Sequence, residues 1–332
     1  MAPDNDKSNH TSRAAYFSPR DLCGLLLPIT TPFLSDGGLD LDGLRSNIRK
    51  WNHTGIAGYV VLGSTGERVH LDEREYVQVI ETAREVVPTG FAFIAGAGQQ
   101  SRRGTIAEIE RAAAAGADAV LVITPHFYRA AITQAALVGH YNEVAGAAPV
   151  PVILYNMPDL TGIKIDPETV ATLSRHKNIM GVKDSSADIE GLQKTINLVR
   201  RDPISPEDFV VLTGNGTVLD EALRAGAAGA ILAVGCVAPA LCGQIIRASL
   251  DGDNVRATEL QQYLTPLARA VTKAYGIGGL KAALDLLGYA GGAVRAPLQA
   301  PGREAIAEIS SLLENASAMD HTSELAFEEL AP

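Results

Sequence analysis

The stretch FAFIAGAGQQSRRGTIAEIERAAAAGADAVLVIT, residues 91–124, contains a complete strand–helix–strand pattern. Its outer runs, FAFIAG (91–96) and DAVLVIT (118–124), are continuously apolar, which is typical of strands buried on both faces. Between them, TIAEIERAAAAGA (105–117) has a helical pattern and ends in Ala-Gly-Ala, as helices that turn tightly into the next strand do. The stretch therefore predicts two parallel strands joined by a helix packed outside the sheet.

The same pattern recurs along most of the chain. Six further apolar runs are LCGLLLP (22–28), AGYVVLG (57–63), PVILYN (151–156), IMGVK (179–183), FVVLTG (209–214) and AGAILA (228–233). Eight strand–helix units in a row predict an α/β protein with a closed (β/α)8 TIM barrel, and an open doubly wound sheet is the alternative.

The remaining segments have no strand pattern. We predict a flexible N-terminal tail over residues 1–20, a catalytic barrel over 21–236, a C-terminal helical region over 237–318 and an acidic tail over 319–332. Packing and subunit contacts are the expected role of the helical region, because it carries no recognisable chemistry.

Composition excludes several classes of function. The net charge of −10 leaves no basic surplus to neutralise nucleic-acid phosphates. No apolar run reaches the roughly 18 to 20 residues of a membrane span, and the first 20 residues lack the apolar segment of a signal peptide. Three scattered cysteines form no disulfide framework, and no His or Cys pair has metal-ligand spacing. We expect a cytoplasmic protein with no metal and no nucleic-acid or membrane partner.

Lys183 is a candidate catalytic residue, because a lysine is unexpected at the end of an apolar strand. It closes the run IMGVK, whereas the other lysines fall in the tail, in loops or, like Lys281, on helical patterns. Desolvating a lysine at the mouth of a barrel favours its neutral amine, which attacks carbonyl groups and forms a Schiff base. A structural salt bridge to Asp184 or Asp188 is the alternative.

Two other strand ends add candidates. Tyr155 closes the neighbouring run, where a phenol would reach the adduct and move protons, although a buried core tyrosine would look the same. GSTGE (63–67) offers hydroxyls and backbone N–H groups that suit a carboxylate or phosphate, unless it is an ordinary tight turn. GAGQQS (96–101) lacks the third glycine of a dinucleotide-binding turn, so no nucleotide cofactor is expected.

Together these residues resemble the dihydrodipicolinate synthase/N-acetylneuraminate lyase family of class I aldolases. The matching motifs are TPF (31–33), GSTGE (63–67), TPHFYR (124–129), LYNMPDLTG (154–162), GVKDSS (181–186) and TGNG (213–216). The resemblance implies a (β/α)8 barrel with a C-terminal helical region, a homotetramer built as a dimer of dimers, and no cofactor.

The resemblance also assigns roles to single residues. Lys183 would form the Schiff base with pyruvate or the pyruvyl part of a 2-keto acid, and Tyr155 would transfer protons. Ser64 and Thr65 would bind the pyruvyl carboxylate. Thr30 or Thr31, together with Gly214, would line the pocket.

The chain departs from the family pattern at two positions. Leu160 stands where dihydrodipicolinate synthases have an arginine that grips the second carboxylate of the aldehyde substrate, and an apolar side chain forms no ion pair. Phe127 occupies the place of a tyrosine that a neighbouring subunit contributes to the proton relay. Tyr128 is adjacent, but neighbouring strand residues point to opposite faces.

The segment YGIGGLKAALDLLGYAGGAVRAPLQ (275–299) looks most like the 4-hydroxy-2-oxoglutarate aldolase branch. The sequence thus predicts a carbon–carbon lyase acting on a small keto acid and an aldehyde, first 4-hydroxy-2-oxoglutarate cleaved to pyruvate and glyoxylate. A 2-keto-3-deoxy sugar acid aldolase or dehydratase comes next, then 4-hydroxy-tetrahydrodipicolinate synthase. A non-catalytic keto-acid binding protein on the same scaffold is the alternative from another class.

Overall fold

A computed structural model of the protein describes residues 17–206 and 208–328. Eight parallel strands are present: β1 (Gly24–Pro28), β2 (Gly58–Val61), β3 (Ala92–Ala97), β4 (Ala119–Ile123), β5 (Val152–Asn156), β6 (Ile179–Asp184), β7 (Val210–Thr213) and β8 (Gly229–Ile231). Each pairs with the next, and β1 pairs with β8, so the sheet closes into a barrel. The closed (β/α)8 prediction is confirmed, and the open sheet is excluded.

Helices alternate with the strands and then continue alone. They are α1 (Leu41–Trp51), α2 (Glu73–Arg84), α3 (Arg102–Ala114), α4 (Gln134–Ala147), α5 (Pro158–Thr161), α6 (Pro167–Leu173), α7 (Ile189–Arg201), α8 (Leu219–Arg224), α9 (Pro239–Leu250), α10 (Asn254–Arg269), α11 (Gly276–Leu286) and α12 (Arg303–Glu328). A π-helical turn, Ala270–Ala274, separates α10 from α11. Of the described helices, none is long and apolar enough to cross a membrane.

Alternation within the strands explains why their apolar runs are continuous. In β1, Leu26 belongs to the core inside the barrel, whereas Leu25 and Leu27 belong to the core between the barrel and its helices. Both faces of each strand are therefore removed from water, and both favour apolar side chains. A polar side chain on the inner face consequently stands out, and β6 carries one at Lys183.

Local signals set the ends of the helices. Asp72 accepts a hydrogen bond from the Glu75 N–H, and the Glu75 side chain accepts one from the Asp72 N–H, which begins α2 with a capping box. Gly116, in the Ala-Gly-Ala that follows α3, has a φ of 100°, a conformation that glycine adopts without strain.

The predicted N-terminal tail falls mostly outside the described residues, whereas most of the backbone of the predicted acidic tail is described. The described chain begins at Phe17, and Pro19–Leu22 form a 3₁₀ helix. The backbone of α12 runs through residues 319–328 of the predicted acidic tail, and 329–332 lie outside the described residues. The division between barrel and helical region at residues 236 and 237 stays a proposal.

Candidate active site

Lys183 and Tyr155 meet inside the mouth of the barrel. β5 and β6 pair in a register that sets the two residues side by side, and the Lys183 Nζ lies 4.4 Å from the centre of the Tyr155 ring. Each is 5% exposed. Alternation places both on the inner face, because Leu154 and Val182 pack outward.

The salt-bridge alternative for Lys183 is not what the structure contains. Asp184 accepts hydrogen bonds from Asn156 and Ser186. Asp188 begins α7 and pairs with Lys164 at 2.7 Å. Within residues 17–206 and 208–328, no carboxylate lies at ion-pair distance from Lys183. Lys183 is therefore buried at the barrel mouth without an ion-pair partner among the described residues, which leaves its Nζ open to a substrate.

The GSTGE loop follows β2 and lies opposite these residues. It forms a tight turn in which the Gly66 N–H donates to the Gly63 carbonyl, and the Thr31 hydroxyl donates to the Gly66 carbonyl at 2.7 Å. The Ser64 Oγ lies 3.5 Å from the Tyr155 hydroxyl oxygen. The loop therefore sets a hydroxyl beside the phenol, as a carboxylate site adjoining the lysine requires.

A cavity of about 450 Å³ joins five of the predicted site residues. Ser64, Thr65, Tyr155, Lys183 and Gly214 all line it. Thr30 and Thr31 are not among the residues that line it, and their role as pocket residues stays a prediction. Both are buried, and the hydrogen bond from the Thr31 hydroxyl to the Gly66 carbonyl helps to hold the loop in place.

Gly214 is required by a close approach of backbone to side chains. Its N–H donates to the Asp184 carbonyl at 2.6 Å. A Cβ at this position would overlap the Ser185 Oγ and come within 2.6 Å of the Lys183 Cε. A larger residue here would displace the Lys183 and Ser185 side chains.

Ser185 is a site residue that the sequence analysis did not single out. Its Oγ is buried, lacks a described hydrogen-bond partner and belongs to the cavity lining. Its place in GVKDSS, two residues beyond Lys183, was the available signal, because residues at i and i+2 share a face of a strand. An unpaired buried hydroxyl is costly, so this one is suited to bind a polar group of a substrate.

The two positions that depart from the family pattern have different surroundings. Leu160 lines the cavity. Phe127 and Tyr128 are 73% and 71% exposed, and their rings pack edge to face at 5.0 Å. The expectation that they point to opposite faces is wrong, because β4 ends at Ile123 and strand alternation no longer applies. A second cavity of about 260 Å³ adjoins the first.

The charged residues nearby are paired with one another. Asp159 and Lys273, which line the cavity, form an exposed ion pair of 3.1 Å. Glu67, the last residue of GSTGE, faces His70 and the buried Lys281. Among the described residues, no group of three or more His, Cys, Asp or Glu side chains is arranged to hold a metal ion.

Comparison with known proteins agrees with this geometry. Residues 21–316 match the Dihydrodipicolinate synthetase family. The 4-hydroxy-tetrahydrodipicolinate synthase of Methanothrix thermoacetophila is 35% identical over 290 residues, covering 87% of this chain and 95% of that protein.

Solved structures agree as well. A putative dihydrodipicolinate synthetase from Pseudomonas aeruginosa has a TM-score of 0.83 at 31% identity, covering 89% of this chain and 99% of its own. YagE from E. coli K12, solved in complex with pyruvate, has a TM-score of 0.81 at 30% identity, covering 89% and 98%. The chain therefore belongs to the dihydrodipicolinate synthetase family of class I, pyruvate-dependent carbon–carbon lyases.

Proposed function

We propose that the protein interconverts a 4-hydroxy-2-keto acid with pyruvate and an aldehyde, through a Schiff base on Lys183. The observation that carries the proposal is a buried lysine with no described counter-ion, set beside a tyrosine in a cavity at the barrel mouth. The imine itself is the electron sink, so the reaction needs no cofactor.

The steps follow from the placement of these groups. The Lys183 amine adds to the C2 carbonyl of the substrate, and loss of water leaves a protonated imine. The C4 hydroxyl gives up its proton as the C3–C4 bond breaks, and the bonding electrons pass into the imine, which releases the aldehyde and leaves an enamine. Protonation at C3 and hydrolysis then release pyruvate. Tyr155 moves the protons, with Ser64 in reach of its hydroxyl.

The carboxylate of the pyruvyl unit is assigned to Ser64 and Thr65. Both line the cavity, on a loop whose turn directs short polar side chains and backbone N–H groups towards one place. Holding the carboxylate there aligns the C3–C4 bond with the imine, which is the positioning effect that catalysis of this kind needs.

Trapping the imine tests the mechanism. The protein is incubated with pyruvate and borohydride, and the modified peptide is mapped by mass spectrometry. We expect a reduced pyruvyl adduct on Lys183 and none in the Lys183→Met variant. Lys273, on the same cavity, is an internal control for unspecific labelling. A folded protein without an adduct on Lys183 would contradict the mechanism.

We propose glyoxylate as the aldehyde, so that 4-hydroxy-2-oxoglutarate is the first substrate, with 2-keto-3-deoxy sugar acids next. Its second carboxylate is attached to C4 itself, so it stays near Lys183 and the unpartnered hydroxyl of Ser185. The apolar Leu160 offers no ion pair to a more distant carboxylate. The curated relative named above is a 4-hydroxy-tetrahydrodipicolinate synthase, which does not support this refinement and makes that activity the competing candidate.

Product analysis separates the candidates. Pyruvate release from 4-hydroxy-2-oxoglutarate or from a 2-keto-3-deoxy sugar acid would support the aldolase, and loss of water without pyruvate would indicate a dehydratase. Faster condensation of pyruvate with aspartate semialdehyde would establish the synthase and refute our choice of aldehyde. Pyruvate binding without turnover of any substrate would identify a binding protein.

A further inference from the structure

The structure contains a second buried lysine, Lys281, in the middle of α11. Lys281 is 1% exposed, and its Nζ lies 2.6 Å from the Glu67 Oε1, whose residue is 2% exposed. The same ammonium donates to the Ala293 carbonyl at 2.6 Å and lies 4.4 Å from the centre of the Phe33 ring. Burial lowers the pKa of Lys281, and its hydrogen bond with Glu67 opposes that shift. An ion pair this deeply buried is expensive to form, and removal of one partner leaves an uncompensated buried charge.

The other oxygen of the Glu67 carboxylate is also occupied. Glu67 Oε2 accepts a hydrogen bond from the backbone N–H of Arg295 at 3.1 Å and lies 3.1 Å from the His70 Nδ1. The Arg295 guanidinium in turn binds the Glu75 carboxylate with two hydrogen bonds and also reaches the Gly37 carbonyl. The Glu67 carboxylate is therefore contacted by Lys281 of α11, by Arg295 in the segment after α11 and by His70.

That carboxylate belongs to the loop that carries Ser64 and Thr65. Glu67 has a φ of 54° and Leu62, at the other end of the loop, a φ of 55°. Residues other than glycine rarely adopt a positive φ, and they keep it only where the surrounding structure holds the backbone in place. The Thr31 hydroxyl holds the loop from the barrel side, and Lys281 is the buried cation that holds it from the helical side.

We propose that Lys281 is a positioning residue, which fixes Glu67 so that Ser64 and Thr65 face Lys183 in the geometry that binds the pyruvyl carboxylate. The proposal rests on the proposed function, since it concerns the same carboxylate site. It gives the C-terminal helical region a part in substrate binding, beyond packing. Lys281 does not line the cavity, so it acts through the loop and does not touch the substrate.

Three variants separate positioning from stability: Lys281→Met, Glu67→Gln, and the double variant Glu67→Gln/Lys281→Met. In each we would measure thermal stability, the KM for pyruvate and kcat. Lys281→Met leaves a buried carboxylate without its cation, so both stability and pyruvate binding should suffer. We expect its KM for pyruvate to rise by about tenfold or more, with a smaller change in kcat, because a loosened loop misplaces the carboxylate.

The double variant decides the matter, because it contains no unpaired buried charge and should regain thermal stability. We expect its KM for pyruvate to stay raised, since nothing holds the loop from the helical side. A KM that returns to the wild-type value together with stability would show a purely structural pair and overturn the proposal. If Lys281→Met does not fold, the double variant and Glu67→Gln still give this answer.

The matched control is Lys194→Met, which breaks an exposed ion pair with Glu168 on the outside of the barrel and should leave KM unchanged. Borohydride trapping in the wild-type protein separates the two proposals. A wild-type adduct on Lys183 with an unaltered KM in all three variants would refute positioning alone. A wild-type protein that neither forms the adduct nor binds pyruvate in calorimetry would refute both.

Discussion

At the scale of single residues, three neighbours define the space around the Lys183 amine. Tyr155 contributes a ring face and a hydroxyl, Ser185 an unpartnered hydroxyl, and Gly214 no side chain at all. Each would look ordinary alone. Together they leave room around the amine and keep carboxylates away from it.

Gly214→Ala tests this arrangement. The added Cβ meets the flexible ends of Ser185 and Lys183, which can rotate away, so we expect a small change in thermal stability. The displaced amine should lower kcat/KM by about a hundredfold, because misplacements of this size have such effects. Gly139→Ala on α4 is the matched control, since a Cβ there has open space. Wild-type activity in Gly214→Ala would contradict the close approach.

Ser185→Ala tests the unpartnered hydroxyl. It removes a buried polar atom that has no described partner, so thermal stability should hold or rise. We expect the KM for the hydroxy-keto acid to rise by about fivefold to tenfold, the loss of one hydrogen bond to substrate, with a smaller effect on pyruvate trapping. An unchanged KM would show that Ser185 makes no contact with the substrate.

At the scale of elements, α4 carries a residue that should respond to pH. His140 is largely buried, its Nε2 has no described hydrogen-bond partner, and its ring packs edge-on to Tyr141. Burial, assisted by the Arg102 charge, lowers the pKa of His140 from 6.5 to about 4. The folded state therefore keeps the ring neutral at a pH where the unfolded chain protonates it.

The sign of the effect follows from the direction of this shift. Between pH 6.5 and about 4 the unfolded chain binds the additional proton, so stability that is fully present above pH 6.5 is lost progressively as the pH falls towards about 4. We expect the melting temperature to fall over this interval more steeply in the wild type than in His140→Leu, by several degrees. Parallel curves for the two proteins would show that His140 does not titrate in this way.

At the scale of the whole molecule, exposed aromatic residues point to contacts between subunits. Phe127 and Tyr128 lie in the loop after β4, and large exposed apolar groups of this kind are typical of interfaces. We propose a homo-oligomer, with a tetramer built as a dimer of dimers as the first expectation. The loop lies near the cavity, so a neighbouring subunit there would approach the site.

The mass in solution tests this proposal. Light scattering should give a multiple of the 34.9 kDa chain mass. Phe127→Asp should shift the protein towards smaller species, because it places a charge in an apolar contact. Val255→Asp, at an equally exposed position on α10, is the control. A wild-type protein that is monomeric at working concentrations would refute the proposal.

The barrel could be predicted, and Lys183 and Tyr155 could be singled out as candidates, because both inferences depend on local patterns. Continuous apolar runs indicate strands that are buried on both faces, and Lys183 is the exception in β6. The ion pair of Glu67 with Lys281 could not be found in this way. The two residues are more than two hundred positions apart, and a lysine on a helical pattern looks like any solvated one.

By itself, the amino-acid sequence determined the strand order, the closed barrel and the polar residues that close several of the strands, because burial on two faces and the period of a strand leave a direct trace in residue type. Only the tertiary structure showed that Ser185 lines the cavity and that Lys281 forms an ion pair with Glu67 of the GSTGE loop. Those facts depend on which side chains of distant segments meet in space. The burial and pairing of charges depend on contacts between residues that are distant in the sequence, so local sequence patterns do not predict them.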